Sequence, residues 1–429
     1  MEARDLAPAR SDEVLDLNEA IIQSVYEPTV SGFCAVPAHY LILTQSGKPV
    51  YSLNGSEVEY VEYLAITQTL VSFFAADNQL LKSFRSKNTT FVFRVVSPLI
   101  LVAIDKLHRS ETQLGHQLDI LHAQILSTLT QNQLEKAFTS RPNMDLRPLL
   151  AGTEVFLNAL AKDMASGDPV WFGALESLEL RKTTRLALNS ILVECRTPNM
   201  LYGMIVADKQ LVGVVRPKKH SLHPADLYLL FSMLFNTTAF DEGEHWVPIC
   251  LPRFNPKGFL YAYIHFFTKS AALVLLSPDR TAFFELQQAY TNIMEQINKQ
   301  NLLLPLQQAV ERGRRPADSL KVPEISHFLY KSRANVQYIQ SDLQSLGDQQ
   351  TLLKLAYSQL QGYMHDNKLR ICHARYPHHV LLAWQTPAFE LYCAAKSLNK
   401  TALSEAVRRI LIWVRRHEER LFITAGATF

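Results

Sequence analysis

A strand, a tight turn, a second strand and then a helix follow one another three times along this chain, and that order limits what it can fold into. The clearest copy begins at HYLILTQSGKPVYSLNGS, His39 to Ser56. Two runs rich in β-branched and aromatic residues, Tyr40 to Thr44 and Val50 to Leu53, flank Gln45-Ser46-Gly47-Lys48. The spacing predicts a hairpin in which Gly47 supplies the backbone angle that a side chain resists. Ser56 and Glu59 have capping-box spacing, so a helix should follow to about Ala76. In the second copy, Leu201 to Ala207 and Leu211 to Arg216 flank Asp208-Lys209-Gln210, with a helix from about Pro224. In the third, His327 to Tyr330 and Val336 to Gln340 flank Ser332-Arg333-Ala334, with a helix from about Asp348. The period is far longer than the ~20 to 50 residues of a solenoid repeat, so each copy should bury a core of its own.

A chain of 429 residues has room for three such modules on a prior of ~100 to 200 residues each. With 48% hydrophobic and 19% charged residues it has ordinary globular core material. A net charge of +3 does not argue for nucleic acid, so any basic function must be local. Cys34, Cys195, Cys250, Cys372 and Cys393 are scattered and form no CxxC pair, which predicts buried free thiols in a reducing compartment. The start is acidic and polar rather than signal-like, and the sequons at Asn54, Asn88, Asn236 and Asn399 should be unused. The longest apolar stretch, Phe91 to Ile104, is interrupted by Arg94, Ser97 and Pro98 and is shorter than the ~20 residues of a spanning helix. A soluble cytosolic protein is expected.

The expected organisation is α+β: three modules, each an antiparallel sheet flanked by helices. Residues 1–35 form an N-terminal extension with a short amphipathic helix, Val14 to Ile22. The first module, 36–164, adds a weak strand near Leu81 to Phe84, strands Thr89 to Val96 and Leu99 to Lys106 joined at Ser97-Pro98, and helices from Ser110 to about Phe138 and Leu146 to Met164. Ala165 to Pro169 marks a boundary. The second module, 170–303, opens with a helix near Arg181 to Glu194 and closes with strands Trp246 to Cys250, Phe259 to Phe267 and Ala272 to Leu276 and a helix to about Gln300. A polar, basic linker, 304–322, precedes the third module, 323–429. That module ends with three strands and a helix, Thr401 to about Leu421.

Motifs for chemistry are sparse. Gly47-Lys48-Pro49 lacks the hydroxyl residue and the earlier glycine of a phosphate loop. Cys372, His373, His378 and His379, and the pair His220 and His223, lack zinc spacing and are read as solvated loop residues, so neither a metal nor a cofactor is implied. No nucleophile signature is present, which leaves a hydrolase without support. Arg216-Pro217-Lys218-Lys219-His220 and Arg312 to Arg315 are basic loops, read either as solvated surface or as contacts for anionic lipid.

Two strands, a helix, three strands and then helices resemble the longin fold of membrane-trafficking proteins. The segments HYLILTQSGKPVYSLNGSE from His39, LVGVVRPKKHSLHPADLYLL from Leu211, WVPICLPRFNPKGFLYAYIHF from Trp246, LAWQTPAFELYCA from Leu382 and RRHEERLFI from Arg415 are similar to those of the vacuolar-fusion Mon-one family. The long N-terminal region usual in that family is almost absent here. The resemblance implies a subunit that pairs with a Ccz-one-like longin partner as a guanine-nucleotide exchange factor for the Rab GTPase of late endosomes and vacuoles, peripheral on anionic phosphoinositide membranes. It also implies that the first modules of the two subunits pair. Such a factor stabilises the nucleotide-free GTPase and needs no covalent step. A non-catalytic longin scaffold of a coat or tether is the alternative.

On the first-module helix, Tyr60, Tyr63, Leu64, Ile66, Leu70 and Phe73, with Val71 and Phe74, spread over half the circumference, wider than the ~100° stripe one sheet needs. One edge should remain for the partner, and either the Ile66 and Phe73 edge or the Tyr60 and Leu64 edge could be that one. Arg216, Lys218 and Lys219 are the expected membrane contacts.

Overall fold

A computed structural model describes residues 14–16, 36–237, 240, 243–320, 322–376, 379–396, 399–424 and 427–428. It contains three sheets, each antiparallel at its centre and covered by helices on both faces. The α+β reading of three longin-like modules is therefore correct.

After a short strand β1 (Val14–Asp16), the first sheet is built from β2 (Ala38–Thr44), β3 (Pro49–Ser52), β4 (Ser83–Ser86), β5 (Thr89–Val96) and β6 (Leu99–Asp105), in the order β3-β2-β6-β5-β4. Every residue of β2 and β6 is buried, as expected of central strands covered on both faces. Leu41, Leu43, Val102 and Ile104 meet helix α1 (Glu57–Ala76), whereas Tyr40, Ile42, Leu101 and Ala103 belong to the core of α2 (Glu111–Thr128), α3 (Gln131–Ser140) and α4 (Glu154–Ala165). Gly47 turns the first hairpin at φ +83°, and a Cβ there would lie 2.0 Å from the Gln68 carboxamide of α1. A side chain at that turn would be strained by its backbone angle and would displace the end of Gln68.

Strand β7 (Leu175–Glu176) precedes the second sheet in sequence but is not one of its strands. The body of that sheet is β8 (Tyr202–Ala207), β9 (Gln210–Arg216), β10 (Glu244–Ile249), β11 (Leu260–Thr268) and β12 (Ala271–Ser277), in the order β10-β11-β12-β8-β9. Asp208 and Lys209 both take positive φ, the mirror-image turn that matches strand twist. Helices α5 (Lys182–Glu194), α7 (Phe283–Lys299) and α8 (Leu303–Arg312) cover one face, and α6 (Pro224–Phe235) covers the other. The third sheet contains β13 (Ile325–Ser332), β14 (Gln337–Gln340), β15 (Ile371–Tyr376), β16 (His379–Gln385) and β17 (Phe389–Ala395). It lies between α9 (Gln349–Asp366) and α10 (Lys400–Arg416).

The sheets do not respect the module boundaries read from the sequence. β7 pairs parallel with β14 of the third sheet, and the terminal strand β18 (Ala427–Thr428) pairs parallel with β9 of the second. Trp171 and Phe172, placed by sequence at the start of the second module, pack in the core of the third. The stretch 304–322 is not a loose linker: α8 places Leu306 and Ala309 in the second core, and Ala317, Leu320 and Val322 lie in the third.

Several other expectations need correction. Val14–Asp16 is a strand paired parallel with β15, not the start of a helix; 17–22 lie outside the described residues. The helix expected from Ser110 to Phe138 breaks where Leu129 is extended and Thr130 accepts the Gln133 N–H. The last helix breaks at His417. His373 and His379 are buried strand residues rather than solvated ones, and His378 lies outside the described residues. Cys250, Cys372 and Cys393 are buried thiols outside any disulfide and Cys195 is half-buried, while Cys34 lies outside the described residues.

Candidate interaction surfaces

Helix α1 starts where both the Ser56 N–H and its hydroxyl donate to Glu59 Oε2, at 2.6 and 2.9 Å. At ~100° per residue the direction of each side chain follows from its position, and the exposures resolve which edge faces the sheet. Leu64 (2%), Val71 (8%) and Thr67 are buried, and Tyr60 and Tyr63 pack partly against the same core. Ile66 is 58% exposed and Phe73 67% exposed, and half-buried Leu70 lies between them on the helix surface. Tyr60 and Leu64 therefore hold the helix to its sheet, and Ile66, Leu70 and Phe73, flanked by Tyr63, form the uncovered edge. Phe73 also meets Phe74 edge-on at 5.7 Å. Burying a side chain of this size stabilises by about 1.5 to 3 kcal/mol, a gain that Ile66 and Phe73 forgo in the isolated chain.

The two basic loops differ. Lys218, Lys219 and His220 are exposed, and Arg216 Nη1 donates to the Pro217 and His220 carbonyls at 3.4 Å, which folds the loop back on itself. Arg314 instead forks onto Glu176 at 2.7 and 2.9 Å, Arg315 pairs with Glu179, and Arg312 donates to the Glu179 carbonyl at 2.7 Å. The Glu176 carboxylate, the largest influence, holds the Arg314 pKa above its ordinary value. Arg420 joins Glu179 from the last turn of the chain at 2.6 Å. Arg312 to Arg315 thus join the second and third modules. This role was not visible in the sequence because their carboxylate partners lie more than a hundred residues away.

A groove of about 890 Å³ opens beside Arg216 between the second sheet, the hairpin tip Ala334–Val336 and the final turn at Ile423. Sequence reading missed it because its walls come from segments far apart in the chain.

No helix among the described residues is long and apolar enough to cross a membrane, and no group of three metal-ligating side chains occurs among them.

Residues 38–160, 198–295 and 324–418 match the first, second and third longin domains of FUZ, MON1 and HPS1. The chain is 45% identical over 442 aligned positions to the vacuolar fusion protein MON1 of Yarrowia lipolytica, covering 100% of this chain and 81% of that protein. It is 34% identical over 400 positions to the vacuolar fusion protein MON1 homolog A of Gallus gallus, covering 91% and 73%, and 34% identical to that of Bos taurus, covering 91% and 72%.

Proposed function

The chain belongs to the FUZ, MON1 and HPS1 longin family, on its MON1 vacuolar-fusion branch, and on that premise we propose that it is one subunit of a heterodimeric guanine-nucleotide exchange factor for a late-endosomal or vacuolar Rab GTPase. In this reading it acts from the surface of endosomes or vacuoles and promotes their maturation and fusion. The observation that carries the reading is the uncovered apolar edge of α1: Ile66, Leu70 and Phe73 on a module whose sheet is already covered on both faces. A helix edge left in water on an otherwise packed domain fits a second longin module.

Exchange on a small GTPase requires tighter binding of its nucleotide-free form than of its nucleotide-bound form. Two paired first modules would present a rigid surface for that state, and the proposed partner is a Ccz-one-like longin chain. The second and third modules, locked by Glu176, Glu179 and their arginines, supply a body on which the basic loop Arg216, Lys218 and Lys219 reaches anionic membranes.

Release of a fluorescent nucleotide from the Rab protein tests this with the chain alone, the partner alone and the two together. Release only with both is expected. Stable pairing without any release would leave the scaffold reading in its place.

A further inference from the structure

We propose that the groove beside β8 and β9 is a binding site for a phosphate monoester carried on an apolar body, with Arg216 and Arg253 as its cations and the Tyr202 hydroxyl as a donor. The inference deepens the membrane reading of the basic loop, with which it shares Arg216, and Tyr202 separates the two.

Four observations support it. First, a volume of about 890 Å³ lies at the upper end of the ~300 to 1,000 Å³ typical of small-molecule sites. Second, the lining contains Arg216, Arg253, His220 and His223 but no carboxylate among the described residues. The nearby Asp226 is withdrawn, since its two oxygens accept the Arg253 and Phe254 backbone N–H groups at 3.1 and 3.0 Å. That contact fixes the loop from which Arg253 extends, and neither Arg216 nor Arg253 meets a carboxylate among the described residues.

Third, Tyr202 lines the groove, is 1% exposed, and has a hydroxyl with no hydrogen-bond partner. A buried hydroxyl without a partner is costly, and a bound anion would relieve it. Burial holds its pKa above the ordinary value while the Arg216 charge acts the other way, so it remains a donor at neutral pH. Fourth, Leu211, Val214, Leu227 and Ile423 give the groove an apolar floor. A guanidinium pair, one hydroxyl donor and an aliphatic floor match a phosphate attached to hydrocarbon better than a bare ion.

Isothermal titration calorimetry on the full chain, with dihexanoyl phosphatidic acid and separately with inorganic phosphate, tests the assignment. Saturable one-site binding of the lipid is expected. Tyr202→Phe keeps the ring and should weaken it about tenfold, the scale of a hydrogen bond to a charged group. Arg216→Gln with Arg253→Gln should abolish it, and Lys218→Gln with Lys219→Gln should leave it intact while reducing sedimentation with phosphatidylcholine vesicles containing phosphatidic acid. A preference for the lipid identifies an amphiphile as the ligand, and equal affinity identifies a free phosphate; both uphold the site when Tyr202→Phe weakens binding. The absence of saturable binding, or a Tyr202→Phe protein that binds like the wild type, overturns it. In that case the vesicle arm still judges the membrane reading through Lys218 and Lys219.

Discussion

Ile66 and Phe73 lie two turns apart on one line of α1 and both point into solvent, whereas Leu64 and Val71, with the same spacing, are sealed against β2 and β6. The two pairs divide one apolar helix into a packing side and a free side, and they predict opposite outcomes for the same kind of substitution. Ile66→Glu with Phe73→Glu should fold normally by circular dichroism and thermal melting yet lose capture of the longin partner. Tyr60→Glu with Leu64→Glu should lose folding, because an unpaired carboxylate in that core costs several kcal/mol. Partner capture that survives Ile66→Glu with Phe73→Glu would remove α1 as the pairing surface.

Arg109 is a second test of the first module. Its Nε donates to Asp105 Oδ1 at 2.8 Å, its Nη1 to the Met164 carbonyl at 2.8 Å, and its backbone N–H to Asp105 Oδ2 at 3.0 Å, all without solvent. Asp105→Ala leaves a buried guanidinium without its counter-charge. A loss of about 3 to 5 kcal/mol in denaturant unfolding is expected. A loss below about 1 kcal/mol would show that the pair contributes little beyond its replacement by water.

His327 makes the third module sensitive to acid. Burial, the dominant cause, holds its pKa down at about 3, and the ring contacts Tyr357 Oη through Nδ1 at 3.2 Å and the Ser341 carbonyl through Nε2 at 3.1 Å. The unfolded chain takes up this proton near its ordinary value of 6.5 and the folded chain does not. Stability should therefore be complete above pH 6.5 and fall as pH drops toward 3, by up to about 1.4 kcal/mol per pH unit from this group. His327→Gln should flatten the slope in that window relative to wild type. An unchanged slope would assign the acid sensitivity to other groups.

Gly167 lies at φ +79°, and a Cβ there would come within 2.8 Å of the Leu355 backbone nitrogen of α9. Backbone cannot yield as a side-chain end can, so Gly167→Ala should cost about 1 to 3 kcal/mol and shift the melting temperature down. Wild-type stability in Gly167→Ala would mean that α9 can move away from the turn at Gly167 at no cost.

Much of this architecture was legible before the structure. The hairpin at Gly47, the capping box at Ser56 and Glu59, and the apolar runs Tyr40 to Thr44 and Leu99 to Lys106 are local signals, and each element formed where they indicate. The breadth of the apolar arc on α1 was equally local. Which edge of it faced the sheet was not, because that depends on strands that pair with it only in space. Arg314 and Arg315 failed for the same reason: as letters they form a basic run, and Glu176 and Glu179 across the fold convert them into a joint. Leu175–Glu176 and Ala427–Thr428 extend sheets belonging to other modules, a pairing that strand propensity in so short a segment cannot signal.

The central claim is that α1 pairs this chain with a second longin subunit to make an exchange surface, and its most direct test is the rate of nucleotide release from the Rab protein with equal amounts of chain and partner. With the wild-type chain the account predicts release well above the intrinsic rate, and with Ile66→Glu and Phe73→Glu in a folded chain it predicts a return to the intrinsic rate. Release that stays fast with that variant, or that the wild-type chain drives fully without its partner, would contradict it.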